Sequence, residues 1–262
     1  MPDRAGLSGA PWDAAALARD LGVRVEAHGE VDSTMEAAAE DHAAPPAIHV
    51  ARSQRAGRGR RGRSWRSPPG NLYATLVWPD PHGAWPPAVL AAIQLAVAEA
   101  VVSAGGPHAR VKWPNDGWIA GGKWAGAIAS RTPPRLLIGL GANLTVAPDL
   151  PGHPSAALLD EWSGGPDPHE ATRLVLAAAL EALRDGAGEI GDRLARWPDR
   201  DLLEPGETVR LETADGEEGG RYLGVDPEGR LEIEVGGEVR RIASGEVCRL
   251  RSERAAGPPA AG

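Results

Sequence analysis

Apolar and polar positions along this chain recur with two periods, and the switches between them outline a succession of elements. Residues 12–21, after Pro11, carry a helical pattern, and residues 23–28 alternate like a strand. Ser33, with Glu36 three residues on, fits a capping box that opens a helix running to Glu40. Pro45-Pro46 ends that helix, and residues 47–52 and 71–78 read as strands. Residues 86–104 are apolar on almost every face, begun by Pro86 and stopped by Gly105-Gly106, which predicts a buried helix. Residues 109–113 and 116–120 are short strands broken at Pro114, and 123–130 and 135–144 form a hairpin-like pair about Pro133-Pro134. Helical patterns follow at 155–162, 169–184 and 190–197.

Beyond residue 203 the texture changes. Residues 207–213, 221–225, 230–235, 238–242 and 247–250 alternate in short runs separated by tight glycine-containing turns. Such a series predicts a small β-barrel. The whole reads as α+β: a mixed sheet flanked by helices over residues 1–203, a small barrel over 204–252, and a patternless, disordered tail over 253–262.

Composition narrows the class. The 262 residues contain no Phe and nine Trp, so aromatic packing rests on indoles. Lys and Arg number 28 against 36 Asp and Glu, a net charge of −8, which argues against a general nucleic-acid coat protein. Cys248 is the single cysteine, so neither an intrachain disulfide nor a cysteine-rich metal site is available. No signal pattern and no run approaching about 18 apolar residues is present, so a cytoplasmic protein without membrane association is expected.

Against that acidic background, residues 52–66 hold seven arginines, three glycines (Gly57, Gly59, Gly62) and no acid. A core cannot absorb so many guanidinium groups unpaired. The stretch is therefore a cationic loop built to receive an anion, and charge repulsion predicts no single conformation without one. Three other stretches accompany it: Asp32-Ser33-Thr34; Lys112-Trp113-Pro114-Asn115-Asp116 with Lys123 seven residues on; and Gly139-Leu140-Gly141-Ala142-Asn143. The last lacks the third glycine of a dinucleotide fingerprint, but an amide at the end of an apolar strand needs partners.

Taken together, Gly57-Arg58-Gly59-Arg60-Arg61-Gly62-Arg63-x-Trp65, Lys112-Trp113-Pro114-Asn115-Asp116 and Gly122-Lys123-x-Ala125-Gly126 resemble the biotin protein ligases, from about residue 21 to 157 and more loosely to the end. The resemblance implies a catalytic domain like those of class II synthetases and biotin–lipoate ligases, followed by an SH3-like barrel. It implies joining of biotin to ATP as biotinyl-5′-adenylate, then transfer to one lysine of a biotin carboxyl carrier protein domain. By resemblance, Ser33, Thr34, Met35 and Gln54 meet the biotin head group; Arg58, Gly59, Arg60 and Lys123 meet its tail and the phosphates. Arg61, Arg63, Trp65, Lys112, Asn115 and Asn143 complete the ATP site. Lys123, Arg58 and Asp116 are the candidate catalytic residues, Asp116 either organising Mg²⁺ or taking the proton of the carrier lysine. Biotin and ATP are then substrates with Mg²⁺, and the metal ligands stay unassigned.

The chain departs from that family pattern at Met35, where many members carry Asn, and at Ser130, where an acid is common. No winged helix is expected before residue 20, so a ligase without DNA binding is expected, as a monomer or a homodimer. The alternatives are a lipoate–protein ligase of the same superfamily, a non-catalytic biotin-binding protein and a nucleic-acid-binding protein.

Overall fold

The computed structural model describes residues 10–249 apart from 81, 82, 84, 87, 214 and 215. The predicted tail at 253–262 lies outside them. Helix α1 (Ala14–Leu21) starts on Asp13, whose carboxylate accepts from the Ala15 and Ala16 amides, and ends on Gly22 at φ 66°. Strand β1 (Arg24–Val31), helix α2 (Thr34–Glu40) and strand β2 (Ala47–Gln54) follow, with β1 and β2 parallel. The chain continues through β3 (Leu72–Pro79), α3 (Val89–Ser103), β4 (Arg110–Lys112), β5 (Asp116–Ile119), β6 (Gly122–Thr132) and β7 (Arg135–Ala142). These strands form one mixed sheet in the order β1-β2-β3-β7-β6-β5-β4.

Alternation along the central strands separates its two faces. Leu76 and Ile138 point into the large core beneath α3 and α4 (Pro168–Arg184). Val77 and Leu137 point the other way, into a small cluster with Ala38 of α2. The α2 side of β7 therefore also carries Gly139 and Gly141.

Two local expectations are corrected. Ser33 does cap α2, but its hydroxyl accepts from the Met35 amide at 3.2 Å, and Glu36 turns away to the loop, so no reciprocal capping box forms. Residues 155–162 are not a helix. The amides of Ala156, Leu158 and Leu159 donate to the carbonyls of Lys123, Asn143 and Leu144 at 2.9–3.1 Å, so these three are not available for helical bonding.

After α5 (Ile190–Leu194) come β8 (Thr208–Thr213), β9 (Gly216–Val225), β10 (Leu231–Val235), β11 (Glu238–Ile242) and β12 (Glu246–Arg249). They form an antiparallel sheet ordered β11-β10-β9-β8-β12. This is consistent with a small barrel, although no pairing among the described residues closes β11 onto β12. The core runs without a break from the large sheet into this one. Trp113, 2% exposed, donates its indole N–H to Gly229 O at 2.9 Å, and the Tyr222 hydroxyl donates to Asp201. No helix among the described residues is long and apolar enough to cross a membrane.

Candidate functional site

A cavity opens on the α2 side of the large sheet, between the first turn of α2, the arginine loop, β6, β7 and the segment around residues 148–155. Its inner end is built from neutral polar groups. The Gln54 side-chain carbonyl accepts from the Thr34 amide at 2.9 Å and from the Thr34 hydroxyl at 3.2 Å, while its amide donates to Ser67 Oγ at 2.9 Å. Thr75 Oγ1, on β3, donates to Thr34 Oγ1 at 2.9 Å. Ser33 and Thr34 are buried. Each of these groups is fixed by another, so the cradle is set before any ligand arrives. Met35 lies beside Gly139; a Cβ at Gly139 would stand 3.0 Å from the Met35 sulfur, so glycine is what lets this thioether form the apolar wall.

Trp65 forms the middle of the cavity. Its ring lies on Gly126 and Gly141, which face each other across β6 and β7. A Cβ at Gly141 would come within 2.7 Å of the indole, so only glycine accepts the ring at that depth. Lys123 Nζ stands 5.3 Å from the Trp65 ring centroid and 2.7 Å from an Asp116 carboxylate oxygen. The backbone of Lys123 is fixed on both sides: its amide donates to Pro154 O at 2.9 Å and its carbonyl accepts from Ala156.

The loop end is cationic, yet its charges are answered. Arg58 pairs with Glu36 on α2, and Arg63 with Glu246 on β12. Arg60 is the half-buried one; it donates to Asn115 Oδ1 at 3.2 Å and to Gly245 O at 3.1 Å, and burial pushes its guanidinium below the usual range. Arg61 leaves the cavity lining and donates to Glu212 O at 2.5 Å. Backbone bonds from Gly59 N to Arg63 O, 2.7 Å, and from Trp65 N to Gly57 O, 2.8 Å, complete a defined path. Acids and carbonyls from distant segments meet the arginines, and the repulsion that composition suggests is neutralised pair by pair.

Lys112 lies in the cavity wall with its Nζ 5.7 Å from the Trp118 ring centroid, and burial lowers its pKa. Asn115 is held by its amide donating to Ala127 O at 2.5 Å. Asn143 donates weakly to Lys123 O at 3.4 Å, and its own carbonyl oxygen is buried without a partner among the described residues. A buried acceptor left free at a cavity wall is a group waiting for a donor. The structure therefore gathers every sequence-predicted site residue except Arg61 around one cavity. Glu36, Glu246, Gly245 and Ser67 were not singled out from sequence. Only Glu36 carried a local signal, and that signal pointed to a cap.

Comparison with known proteins decides the family. A biotin–[acetyl-CoA-carboxylase] ligase of Paracoccus denitrificans is 38% identical over 197 residues, covering 70% of this chain and 81% of that protein. The chain belongs to the biotin protein ligases. The corresponding Mycobacterium tuberculosis ligase is 33% identical over 216 residues, 78% of this chain and 79% of that one. Residues 29–143 match the model of the biotin/lipoate A/B protein ligase family. Among solved structures, the Aquifex aeolicus biotin protein ligase in complex with biotin and ATP superposes with a TM-score of 0.76 at 26% identity, over 87% of this chain and 99% of that one. Strands β2 to β7 of this ligase, its arginine loop and Lys123 lie within residues 29–143.

Proposed function

We propose that this ligase activates biotin with ATP and transfers it to a lysine of a biotin carboxyl carrier protein domain. The observation that carries this reading is the cavity itself: a fixed neutral cradle at Thr34 and Gln54 joins, past Trp65, to Lys123 and the arginine loop. A ureido group offers N–H donors and a carbonyl acceptor, which suits hydroxyls and an amide. A carboxylate and a triphosphate repel each other, which calls for cations between them.

In the first step a carboxylate oxygen of biotin attacks the α-phosphorus. The bond to the β-phosphate breaks, and pyrophosphate leaves. Lys123 exchanges Asp116 for the two reacting anions. Arg58 and Arg63 exchange Glu36 and Glu246 for phosphate oxygens, and Arg60 keeps the loop seated. Asn143 turns its free acceptor to the nucleotide, and Trp65 covers the reacting atoms from water. In the second step the carrier lysine attacks the acyl carbon, AMP leaves, and the proton passes to Asp116 or to solvent.

Magnesium is part of this reading, as an ion brought by the nucleotide phosphates. No cluster of three potential ligands occurs among the described residues. Two carboxylates, Asp116 and Glu246, line the cavity, which fits an ion that keeps its waters and takes one or two protein oxygens. We assign residues 1–203 to the two substrates and residues 204–252 to holding the loop. The ligase is assigned to the cytoplasm, without DNA binding, as a monomer or homodimer.

Incubation with a carrier domain, ATP and either biotin or lipoate tests the reading by mass. A shift of one biotinyl group, dependent on ATP and absent with lipoate, is expected. Lipoyl transfer in its place would favour the lipoate ligase.

A further inference from the structure

The cradle rests on α2, and α2 is short. Seven residues are too few to hold a helix by local bonding alone. Its packing is thin as well: the buried cluster beneath it comprises only Ala38, Ala47, Val77 and Leu137. Yet its first turn must present Thr34 to Gln54 at hydrogen-bond distance. Something must fix the other end.

Arg135, the first residue of β7, does so. Its guanidinium donates to Ala39 O at 3.1 Å and to Ala38 O at 3.4 Å, and also to Asp41 O. These are carbonyls of the last turn of α2 and its cap, which have no amide partners further along the helix. A cation there also complements the negative end of the helix dipole. Arg135 pairs with no carboxylate among the described residues, so its charge is directed at the helix end alone. Asp41, the cap residue, is in turn held by Arg24 of β1 and by His49 of β2, the latter at 3.0 Å. The strand that begins with Arg135 continues through Gly139 and Gly141, the floor under Met35 and Trp65. One strand therefore sets both the floor of the cavity and the end of the helix that forms its roof.

We propose that Arg135 is a positioning residue for the acid substrate, acting through α2; this rests on the reading of the Thr34–Gln54 cradle as the biotin site. The role is selective. Arg135 bonds to neither the arginine loop nor Lys123, and the ion pair that joins α2 to the loop, Glu36 with Arg58, is one that the nucleotide displaces, so losing Arg135 acts chiefly on the acid site.

The test compares wild type, Arg135→Ala, Arg135→Lys and, as a control on the same hairpin, Arg131→Ala, whose partner is Asp80. KM for biotin, KM for ATP and kcat are measured, together with hydrogen exchange of the amides of residues 34–40. Arg135→Ala is expected to raise KM for biotin about tenfold, with KM for ATP and kcat within twofold, and to speed exchange in α2. Arg135→Lys recovers part of the loss, because an ammonium reaches some of the carbonyls but not all. Arg131→Ala stays at wild type. An unchanged KM for biotin, or equal rises in both KM values, overturns the proposal. If Arg135→Ala does not fold, Arg135→Lys decides by the same two criteria. Failure of the underlying reading looks different: wild type itself then shows no biotin-dependent activity.

Discussion

At the inner end of the cavity, neutral groups hold one another: Thr34 with Gln54, Gln54 with Ser67, Thr75 with Thr34. At the outer end, cations are held by acids: Arg58 by Glu36, Arg63 by Glu246, Lys123 by Asp116. The first arrangement is buried and has no reason to move when a ligand binds. The second is partly exposed, and each pair can exchange its carboxylate for a substrate anion. The difference matches two tasks. Recognising one head group asks for fixed donors and acceptors, whereas closing over a phosphate chain and reopening asks for contacts that are individually weak.

Of the two substrate affinities, breaking the fixed end should cost the most. Gln54→Leu leaves Thr34 and Ser67 with unanswered polar groups in a buried site, a loss of about 1–3 kcal/mol. KM for biotin is expected to rise ten- to a hundredfold by titration of biotin at saturating ATP, with KM for ATP little changed. Arg60→Ala sharpens the comparison, because Arg60 is the loop cation that is half-buried and anchored on both sides. Removing it is expected to raise KM for ATP about tenfold, as for other charge-assisted hydrogen bonds.

A third prediction concerns the scaffold behind the loop. Burial raises the Asp201 carboxyl to about 6, although it accepts from Tyr222 and from the Leu203 amide. The folded state thus binds this proton more tightly than the unfolded chain, whose carboxyl titrates near 3.8. Its contribution to stability falls as pH rises from about 4 to about 6 and stays unfavourable above that. Asp201→Asn is expected to raise thermal stability at pH 8 by about 1–2 kcal/mol, with the gain vanishing near pH 4. Calorimetry at the two pH values checks the sign. The smallest effect is expected at an exposed pair. Glu246→Gln frees Arg63 and should lower KM for ATP two- to threefold at low salt, with the difference lost at high salt.

Much of this was legible in the sequence. The loop, the strand that carries Lys123, and the Gly139-x-Gly141 spacing are local patterns, and each lies where its pattern put it. What the pattern lacked was long-range pairing. Glu246 meets Arg63 across 183 residues, and no local rule connects them. Residues 155–162 were read as a helix because their apolar spacing allows one. Their amides instead complete the edges of Lys123 and Asn143, a tertiary demand that overrides propensity. Arg135 was legible only as the start of a strand, since its role depends on where α2 ends in space.

The central claim is that Lys123 supplies the charge that lets a carboxylate and a phosphate react in this cavity. Biotin-dependent exchange of labelled pyrophosphate into ATP reads that step without the carrier protein. Wild type is expected to exchange only when biotin is present, and folded Lys123→Ala to exchange about a hundred- to a thousandfold more slowly. Exchange by Lys123→Ala within a few-fold of wild type would contradict the account.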